Sequence, residues 1–157
     1  MTLNARSDTI HEKPSFRNSI KDKRCILPLD GFYEWQHINK KKQPYYIYPS
    51  DGTVFYLGCI YNTWINRQTG EVRDTFSIIT TDANQLMEKI HNTKKRMPLI
   101  LPKNALQEWI DPSTKISSVD SLMTTYSAEL MSAYTISPDA GNSRINRNIP
   151  EIKNKFI

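Results

Sequence analysis

The sequence predicts an α+β domain, rich in β-structure and built on a strongly bent antiparallel sheet or barrel with a few peripheral helices. Before Thr81, aromatic and β-branched runs alternate with short turn signals, which is typical of strands joined by hairpins. Helical spacing of apolar residues begins only at Thr81 and recurs in short stretches. The 157 residues, 38% of them apolar and 24% charged, have the composition of one globular domain with its own hydrophobic core.

The strands are predicted first along the chain. Five β-like runs precede the helices, at residues 25–28, 32–35, 45–48, 53–60 and 75–80. Asp30 and Gly31 form a turn or bulge between the first two runs. Pro49–Gly52 predicts a hairpin between the third and fourth runs, and residues 66–72 predict a second hairpin before the fifth.

The later elements are short. Leu86, Met87 and Ile90 recur at helical spacing after a Thr or Asp that can cap the helix, which places His91 at the helix end. The remaining elements are a strand at 99–101, short helices at 105–110 and 119–126, and an irregular surface tail at 137–157 that is rich in Asn, Ser and Pro.

The charge balance favours a polyanionic partner. The 21 Lys and Arg against 16 Asp and Glu give a net charge of +5, and such an excess favours nucleic acid through counterion release, although it is weak support alone. No apolar run approaches the length of a membrane span, and the first residues lack the apolar segment of a signal peptide. We therefore expect a cytoplasmic protein without membrane association.

The metal-binding residue types are few. Two cysteines, Cys25 and Cys59, do not make a disulfide framework. The three histidines, His11, His37 and His91, share no close spacing with them that is typical of a zinc site. No cofactor is predicted.

Glu34 lies in an unusual stretch, Gly-Phe-Tyr-Glu-Trp, which sets a carboxylate between aromatic residues of a predicted strand. A carboxylate held among rings is desolvated, which suits it to general acid or base work near neutral pH. In the alternative, Glu34 lies on the wet face of the strand and pairs with one of Lys40, Lys41 and Lys42 across a hairpin. The residue pattern alone favours this alternative.

His91 also has two interpretations. The C-terminus of a helix stabilises a protonated histidine, so His91 can be a simple cap, which the sequence alone favours. The basic loop that follows, through Lys94, Lys95 and Arg96, instead sets a titratable imidazole beside cations able to meet phosphates.

For the other candidate residues, each functional interpretation has an ordinary structural alternative. Cys25 with His91 can be read as a thiol protease dyad, but a cysteine in an apolar run is more often a buried, inert thiol. Asn4, Arg6 and Arg17 offer an amide and two guanidinium groups near the start of the sequence, and their alternative is ordinary surface polarity.

Four sequence blocks follow one another in the order NARSDTI with EKPSFR, then RCILPLDGFYEW, then TTDAN, then IHNTKKRMPLILP. In this order they resemble the signature blocks of the SOS response-associated peptidase (SRAP) family, which acts on abasic sites in single-stranded DNA. The resemblance covers residues 4–102, and the tail follows loosely through SPDAGNSRINRNIPEI. It implies a β-rich fold with a positively charged groove that holds single-stranded DNA bent at the lesion, and hence a nucleoid-associated protein when DNA is bound.

The resemblance also implies site residues. In the family, removal of the initiator methionine exposes a cysteine whose amine and thiol condense with the ring-opened sugar aldehyde to a stable thiazolidine crosslink. By this resemblance Asn4 orients the nucleophilic terminus, Glu34 is the general acid and base for terminal processing and Schiff-base chemistry, and His91 moves protons at the sugar ring oxygen and assists reversal. The DNA-binding residues would be Arg6, Arg17, Trp35 (by stacking), Lys94, Lys95 and Arg96.

The sequence departs from the family at its start. Family members begin Met-Cys-Gly-Arg and run through several dozen residues before the Asn-Ala-Arg block, whereas this sequence begins Met-Thr-Leu-Asn. We therefore expect residues 1–157 to be one SRAP-like domain that is N-terminally incomplete and lacks the nucleophilic cysteine. Loss of the first strands would expose sheet edges and favour self-association.

Three functions stay open at this point. The first is a parent protein that crosslinks abasic DNA, with the autopeptidase and lyase activities of the family. The second is a remnant that binds single-stranded DNA without forming a durable covalent bond. The third is a thiol peptidase that uses Cys25 and His91, and whether this chain is itself an enzyme is left open.

Overall fold

A computed structural model describes residues 3–156 and confirms the mixed α+β class. In this part of the chain the strands are β1 (Asn4–Arg6), β2 (Arg24–Leu29), β3 (Phe32–Ile38), β4 (Lys41–Pro49), β5 (Phe55–Ile65), β6 (Val72–Asp82), β7 (Arg96–Pro98) and β8 (Met131–Thr135). The α-helices are α1 (Ser19–Asp22), α2 (Gln85–Ile90), α3 (Leu106–Ile110) and α4 (Ile116–Leu122). Within residues 3–156, none of the helices is long and apolar enough to cross a lipid bilayer.

The strands divide between two sheets. The first has the order β1-β6-β5-β2, with β7 also paired to β6. In it β1 runs parallel to β6, with Asn4 opposite Ile78, whereas β5 runs antiparallel to β6. The second sheet has the order β3-β4-β8, with antiparallel pairing. The parallel strand β1 was not predicted, because three residues are too few to show a period.

One of the two predicted hairpins is wrong. β4 and β5, on either side of Pro49–Gly52, belong to different sheets, since β4 pairs with β3 and β8 while β5 pairs with β6 and β2. Turn residues predict a reversal of the chain but not which strands then pair. The second hairpin is confirmed, because β5 and β6 pair from Cys59–Ile78 to Ile65–Val72, and Gly70 in their turn has a φ of 72°.

The chain packs as two compact units. The first unit comprises residues 3–28, 56–81 and 98–126, and its core includes the buried side chains of Ile79 and Trp109. The second unit comprises residues 29–55, 82–97 and 127–156 and has a smaller core around Tyr46 and Ile136. That the whole chain is one domain stays a prediction.

Tyrosine rings cover one face of the second sheet. The ring centroid of Tyr46 lies 5.5 Å from that of Tyr33, 5.9 Å from Tyr48 and 5.6 Å from Tyr134. Burial raises the pKa of the Tyr46 phenol to about 12. The face therefore behaves as a packed aromatic layer rather than as a set of titrating phenols.

The end of the described chain is attached to this unit. The Tyr134 hydroxyl donates to the carbonyl of Lys153 at 2.7 Å, and the Phe156 amide donates to the carbonyl of Thr135 at 2.8 Å. An antiparallel bridge joins Ile136 to Lys155. Residues 153–156, at the end of the segment predicted as irregular, thus lie beside β8.

Gly31 is needed for close packing rather than for a turn conformation. A Cβ at this position would lie 2.4 Å from the carbonyl oxygen of Ile47 and 2.5 Å from the ring of Tyr46. The first of these neighbours is backbone, so it cannot rotate away. Gly31 therefore lets the start of β3 lie close to β4, which positions the strand that carries Glu34.

Candidate functional site

Glu34 and His91 come together in the second unit. Glu34 lies in the middle of β3, and His91 is the residue at which α2 ends. The Oε2 atom of Glu34 lies 3.5 Å from the Nδ1 atom of His91, and the two side chains are 23% and 21% exposed. The two side chains are therefore close enough to interact and are still partly open to solvent.

The two faces of β3 have different neighbours. Side chains alternate along a strand, so Glu34 and Gln36 share one face while Tyr33 and Trp35 share the other. Gln36 donates to the carbonyl of Lys89 in α2 at 2.8 Å, whereas the Tyr33 ring packs on that of Tyr46. The sequence predicts that Phe32, Tyr33 and Trp35 desolvate the Glu34 carboxylate, but only Phe32 shares its face of β3, and Tyr33 and Trp35 lie on the opposite face. The helix α2 and the loop after it lie on the Glu34 face instead.

The alternative pairing of Glu34 with a lysine is also wrong. The register of β3 and β4 sets Tyr45 opposite Glu34, and Lys41 and Lys42 lie farther along at the hairpin tip, opposite Ile38 and His37. The ion-pair partner of Glu34 is His91, from another part of the sequence.

Local sequence fixes where α2 begins and ends. The side chain of Asn84 caps the helix by accepting a hydrogen bond from the Met87 amide at 2.9 Å. At the other end the His91 amide donates to the carbonyl of Met87 at 2.7 Å. The helix end predicted at His91 is confirmed, and the predicted Thr or Asp cap is replaced by Asn84.

Asn92 holds the loop after α2 against β3. Its side-chain amide donates to the carbonyl of His37 at 2.9 Å, and its side-chain oxygen accepts from the His37 amide at 3.1 Å. The Asn92 side chain thus bonds both backbone groups of His37, as the backbone of a neighbouring strand would. These two bonds hold the loop in the position where His91 contacts Glu34. Sequence analysis missed this role, because an asparagine after a helix is typical of many loops.

The hydrogen bonds of His91 determine its tautomer. The Nδ1 atom lies 2.9 Å from the carbonyl oxygen of Arg96, which can only accept, so Nδ1 carries a proton. In the neutral ring Nε2 is therefore the atom that can accept a proton. Glu34, whose Oε1 accepts a hydrogen bond from the Trp35 amide at 3.0 Å, lies on the Nδ1 side of the ring.

We expect the neutral His91 ring to be the Nδ1–H tautomer in solution, because the Arg96 carbonyl accepts this proton. Long-range ¹H–¹⁵N correlation spectra, recorded where the ring is neutral, distinguish the two tautomers. The exposed ring of His37 serves as the reference. A neutral His91 that is protonated at Nε2 would contradict the assignment.

The basic loop presents its cations unequally. The Arg96 side chain is only 12% exposed, and its Nη1 lies 3.6 Å from a carboxylate oxygen of Asp82. Lys95 is 62% exposed, with its Nζ 3.5 Å from a carboxylate oxygen of Glu88, and Lys94 is exposed as well. Lys94 and Lys95 are therefore better placed than Arg96 to meet an anion from solvent.

The remaining candidates lie elsewhere. Asn4 and Arg6 are exposed on β1 in the first unit, where the Arg6 Nε donates to Asp8 at 3.0 Å and the two side chains form an ion pair. Arg17, also in the first unit, is exposed. Trp35 is half-buried on the face of β3 opposite to Glu34. The roles of these four residues in orientation, phosphate contact and stacking stay predictions.

Cys25 is half-buried on β2, in the first unit, and its thiol interacts with that of Cys59. Its pairing with His91 in a peptidase dyad stays a prediction. Among residues 3–156, no group of three or more His, Cys, Asp and Glu side chains is arranged to hold a metal ion.

Comparisons with known proteins agree on one family. A family model described as SOS response associated peptidase (SRAP) matches residues 1–143. The abasic site processing protein YoqW of Bacillus subtilis (strain 168) is 40% identical over 152 residues, which are 96% of this chain and 65% of YoqW. The abasic site processing protein HMCES of Xenopus tropicalis is 33% identical over an alignment of 169 positions, which covers 96% of this chain and 49% of HMCES.

The fold has a close counterpart among solved structures. The crystal structure of a protein from Bacteroides thetaiotaomicron matches with a TM-score of 0.94 at 46% sequence identity, covering 100% of this chain and 67% of that chain. The chain thus spans about two thirds of the length of this protein and of YoqW, and about half the length of HMCES.

Proposed function

This chain belongs to the SOS response associated peptidase family, and from that premise we propose that it acts on abasic sites in single-stranded DNA. The observation that carries the proposal is the contact of Glu34 with His91, at 3.5 Å on one face of β3. YoqW and HMCES, both named abasic site processing proteins, support the choice of substrate.

An abasic sugar requires acid–base chemistry of the kind this pair can supply. The ring-opened sugar carries an aldehyde, and an amine that adds to it gives a carbinolamine, which loses water to form a Schiff base. Proton transfer is needed twice, from the amine nitrogen and to the departing hydroxyl group. The Nε2 atom of His91 serves both steps, and Glu34 stabilises the imidazolium that forms between them.

We assign the covalent step to an N-terminal cysteine, as in the family that the sequence resembles. Its amine forms the Schiff base, and its thiol then adds to the imine carbon and closes a thiazolidine ring. Cys25 and Cys59 are internal, so neither carries a free amine on the adjacent carbon. We assign the acid–base half of the chemistry to Glu34 and His91.

The DNA strand is held by its phosphates. Lys94 and Lys95 follow His91 closely and are exposed, so they can contact the phosphates that flank the lesion. The charge of the whole chain, +5, adds a general attraction for polyanions.

We expect binding of single-stranded DNA to weaken with salt, and the double variant Lys94→Gln/Lys95→Gln to reduce that dependence. Removal of one phosphate-binding lysine lowers the slope of log K against log[salt] by about 0.7 for a single strand, so removal of both should lower it by about 1.4. Fluorescence anisotropy with labelled oligonucleotides measures the slope.

The matched control is Lys103→Gln/Lys115→Gln, which removes two exposed lysines of the first unit and should leave the slope within about 0.5 of the parent value. Equal slopes for both double variants would contradict the assignment of the phosphate contacts. Failure of the parent chain to bind single-stranded DNA at low salt would contradict the proposed function itself.

A further inference from the structure

Cys25 and Cys59 lie directly opposite each other in the first unit. Their strands, β2 and β5, are neighbours in the sheet, and the Tyr61 amide donates to the carbonyl of Lys23 at 2.9 Å. In an antiparallel pair such a bond joins opposed residues, so a step of two residues along each strand sets Cys25 opposite Cys59. A parallel register from the same bond would set Cys25 near Thr63 instead, but Cys25 lines one cavity together with Cys59, and Thr63 is not part of that lining.

The opposed position suits a disulfide. Hydrogen-bonded and non-hydrogen-bonded pairs alternate along an antiparallel ladder, so a step of two from Lys23 and Tyr61 gives another hydrogen-bonded pair. Cα atoms of such pairs lie about 5.5 Å apart, within the range that disulfides span. Both cysteines are reduced in this structure.

The pair is within reach of a small oxidant. Residues Cys25 and Cys59 both line a cavity of about 350 Å³, whose other walls include Leu27 and Phe76. Cys25 is half-buried, whereas Cys59 is buried, so the two thiols differ in access. A hydrogen bond from the Cys59 thiol lowers the pKa of Cys25, while the neighbouring thiol and burial raise the pKa of Cys59.

We propose that Cys25 and Cys59 form a peroxide-reactive thiol pair that closes reversibly to a disulfide between β2 and β5. The Cys25 thiolate attacks one oxygen of hydrogen peroxide, the O–O bond breaks, and Cys25 sulfenic acid and hydroxide result. The Cys59 sulfur then attacks the Cys25 sulfur, the S–O bond breaks, and the departing hydroxide takes the Cys59 proton as water. Two thiols and one peroxide thus give one disulfide and two waters.

The site is independent of the proposed action on DNA, because it uses neither Glu34 nor His91. A bridge across a hydrogen-bonded strand pair is held in strained geometry by the sheet, and strain makes a disulfide easier to reduce. The oxidised form should therefore reopen with a dithiol such as dithiothreitol.

The test is intact-protein mass spectrometry of the whole chain after treatment with hydrogen peroxide and then alkylation. The expected result is a loss of about 2 Da, no alkylated thiol, a Cys25–Cys59 peptide pair on digestion, and full reversal by dithiothreitol. Oxidation of Cys25 to sulfinic acid while Cys59 stays alkylatable would overturn the proposal, as would lack of any reaction.

Two variants assign the roles. Cys59→Ser should stop at the sulfenic acid, which dimedone labels at Cys25, whereas Cys25→Ser should leave the buried Cys59 unmodified. Labelling of Cys59 in the second variant would reverse the assigned roles and overturn the order of steps. If a variant folds poorly, the peptide map of the parent chain after peroxide treatment still shows whether Cys25 and Cys59 pair.

Discussion

Replacing His91 by alanine should lower the rate of adduct formation with abasic single-stranded DNA by about 100-fold or more, in a version of the protein that carries an N-terminal cysteine. The reason is the hydrogen bond from Nδ1 to the Arg96 carbonyl, which leaves Nε2 as the atom that exchanges protons. Glu34→Gln should also slow the reaction, because it keeps the shape of the side chain but removes the charge that stabilises the imidazolium. Single-turnover kinetics on denaturing gels measure both rates.

The control is His37→Ala, since the bonds of Asn92 to this residue involve only its backbone. This variant should retain the parent rate. The double variant of Glu34 and His91 should lose little more than His91→Ala alone, because the two side chains act as one unit. If the double variant instead lowered the rate by the product of the two single-variant effects, the coupled roles would be contradicted.

Replacing Arg24 by methionine should lower the free energy of unfolding by about 3–5 kcal/mol, because each buried acceptor left unpaired costs about 1–3 kcal/mol. Arg24 is 4% exposed, and its guanidinium donates to the carbonyls of Trp109 at 2.7 Å and Ile20 at 2.9 Å. It also donates to the carbonyls of Lys21 and Asp111. These carbonyls lie in or just after the short helices α1 and α3, so methionine would leave two buried and two partly buried acceptors without their donor.

Burial of Arg24 also lowers the pKa of its guanidinium, because removal from water disfavours the charged form. Urea unfolding measures the change in free energy. The matched control is Arg73→Met, which removes an exposed guanidinium paired with Glu71 at 2.7 Å and should change the free energy by less than about 1 kcal/mol. Equal stabilities for Arg24→Met and the parent would contradict the structural role.

Local sequence patterns predicted the positions of the strands and helices better than they predicted which strands pair with each other. The alternation in β3 and the helical spacing in α2 depend on neighbouring residues, so both were visible in the sequence. The pairing of β4 with β8 depends on residues far apart in the chain, and no turn signal between β4 and β5 could report it. The predicted Pro49–Gly52 hairpin failed for this reason.

For the candidate site, too, the sequence indicated residues but not the contacts between them. Glu34 and His91 could be singled out by residue type and resemblance, but the atoms that meet depend on α2 packing against β3. Asn92 and Arg24 read as ordinary polar residues, because neither their spacing nor their neighbours in sequence indicate the carbonyl groups that they bind in the fold.

The most direct test of the central claim is denaturing gel electrophoresis after incubation with single-stranded DNA that carries one abasic site. This chain is compared with a version extended to begin Met-Cys-Gly-Arg, each with and without borohydride. We expect a heat-stable adduct from the extended version without borohydride, and none with intact DNA. No adduct from the extended version would contradict action on abasic sites, and a heat-stable adduct from this chain alone would contradict the role of the N-terminal cysteine.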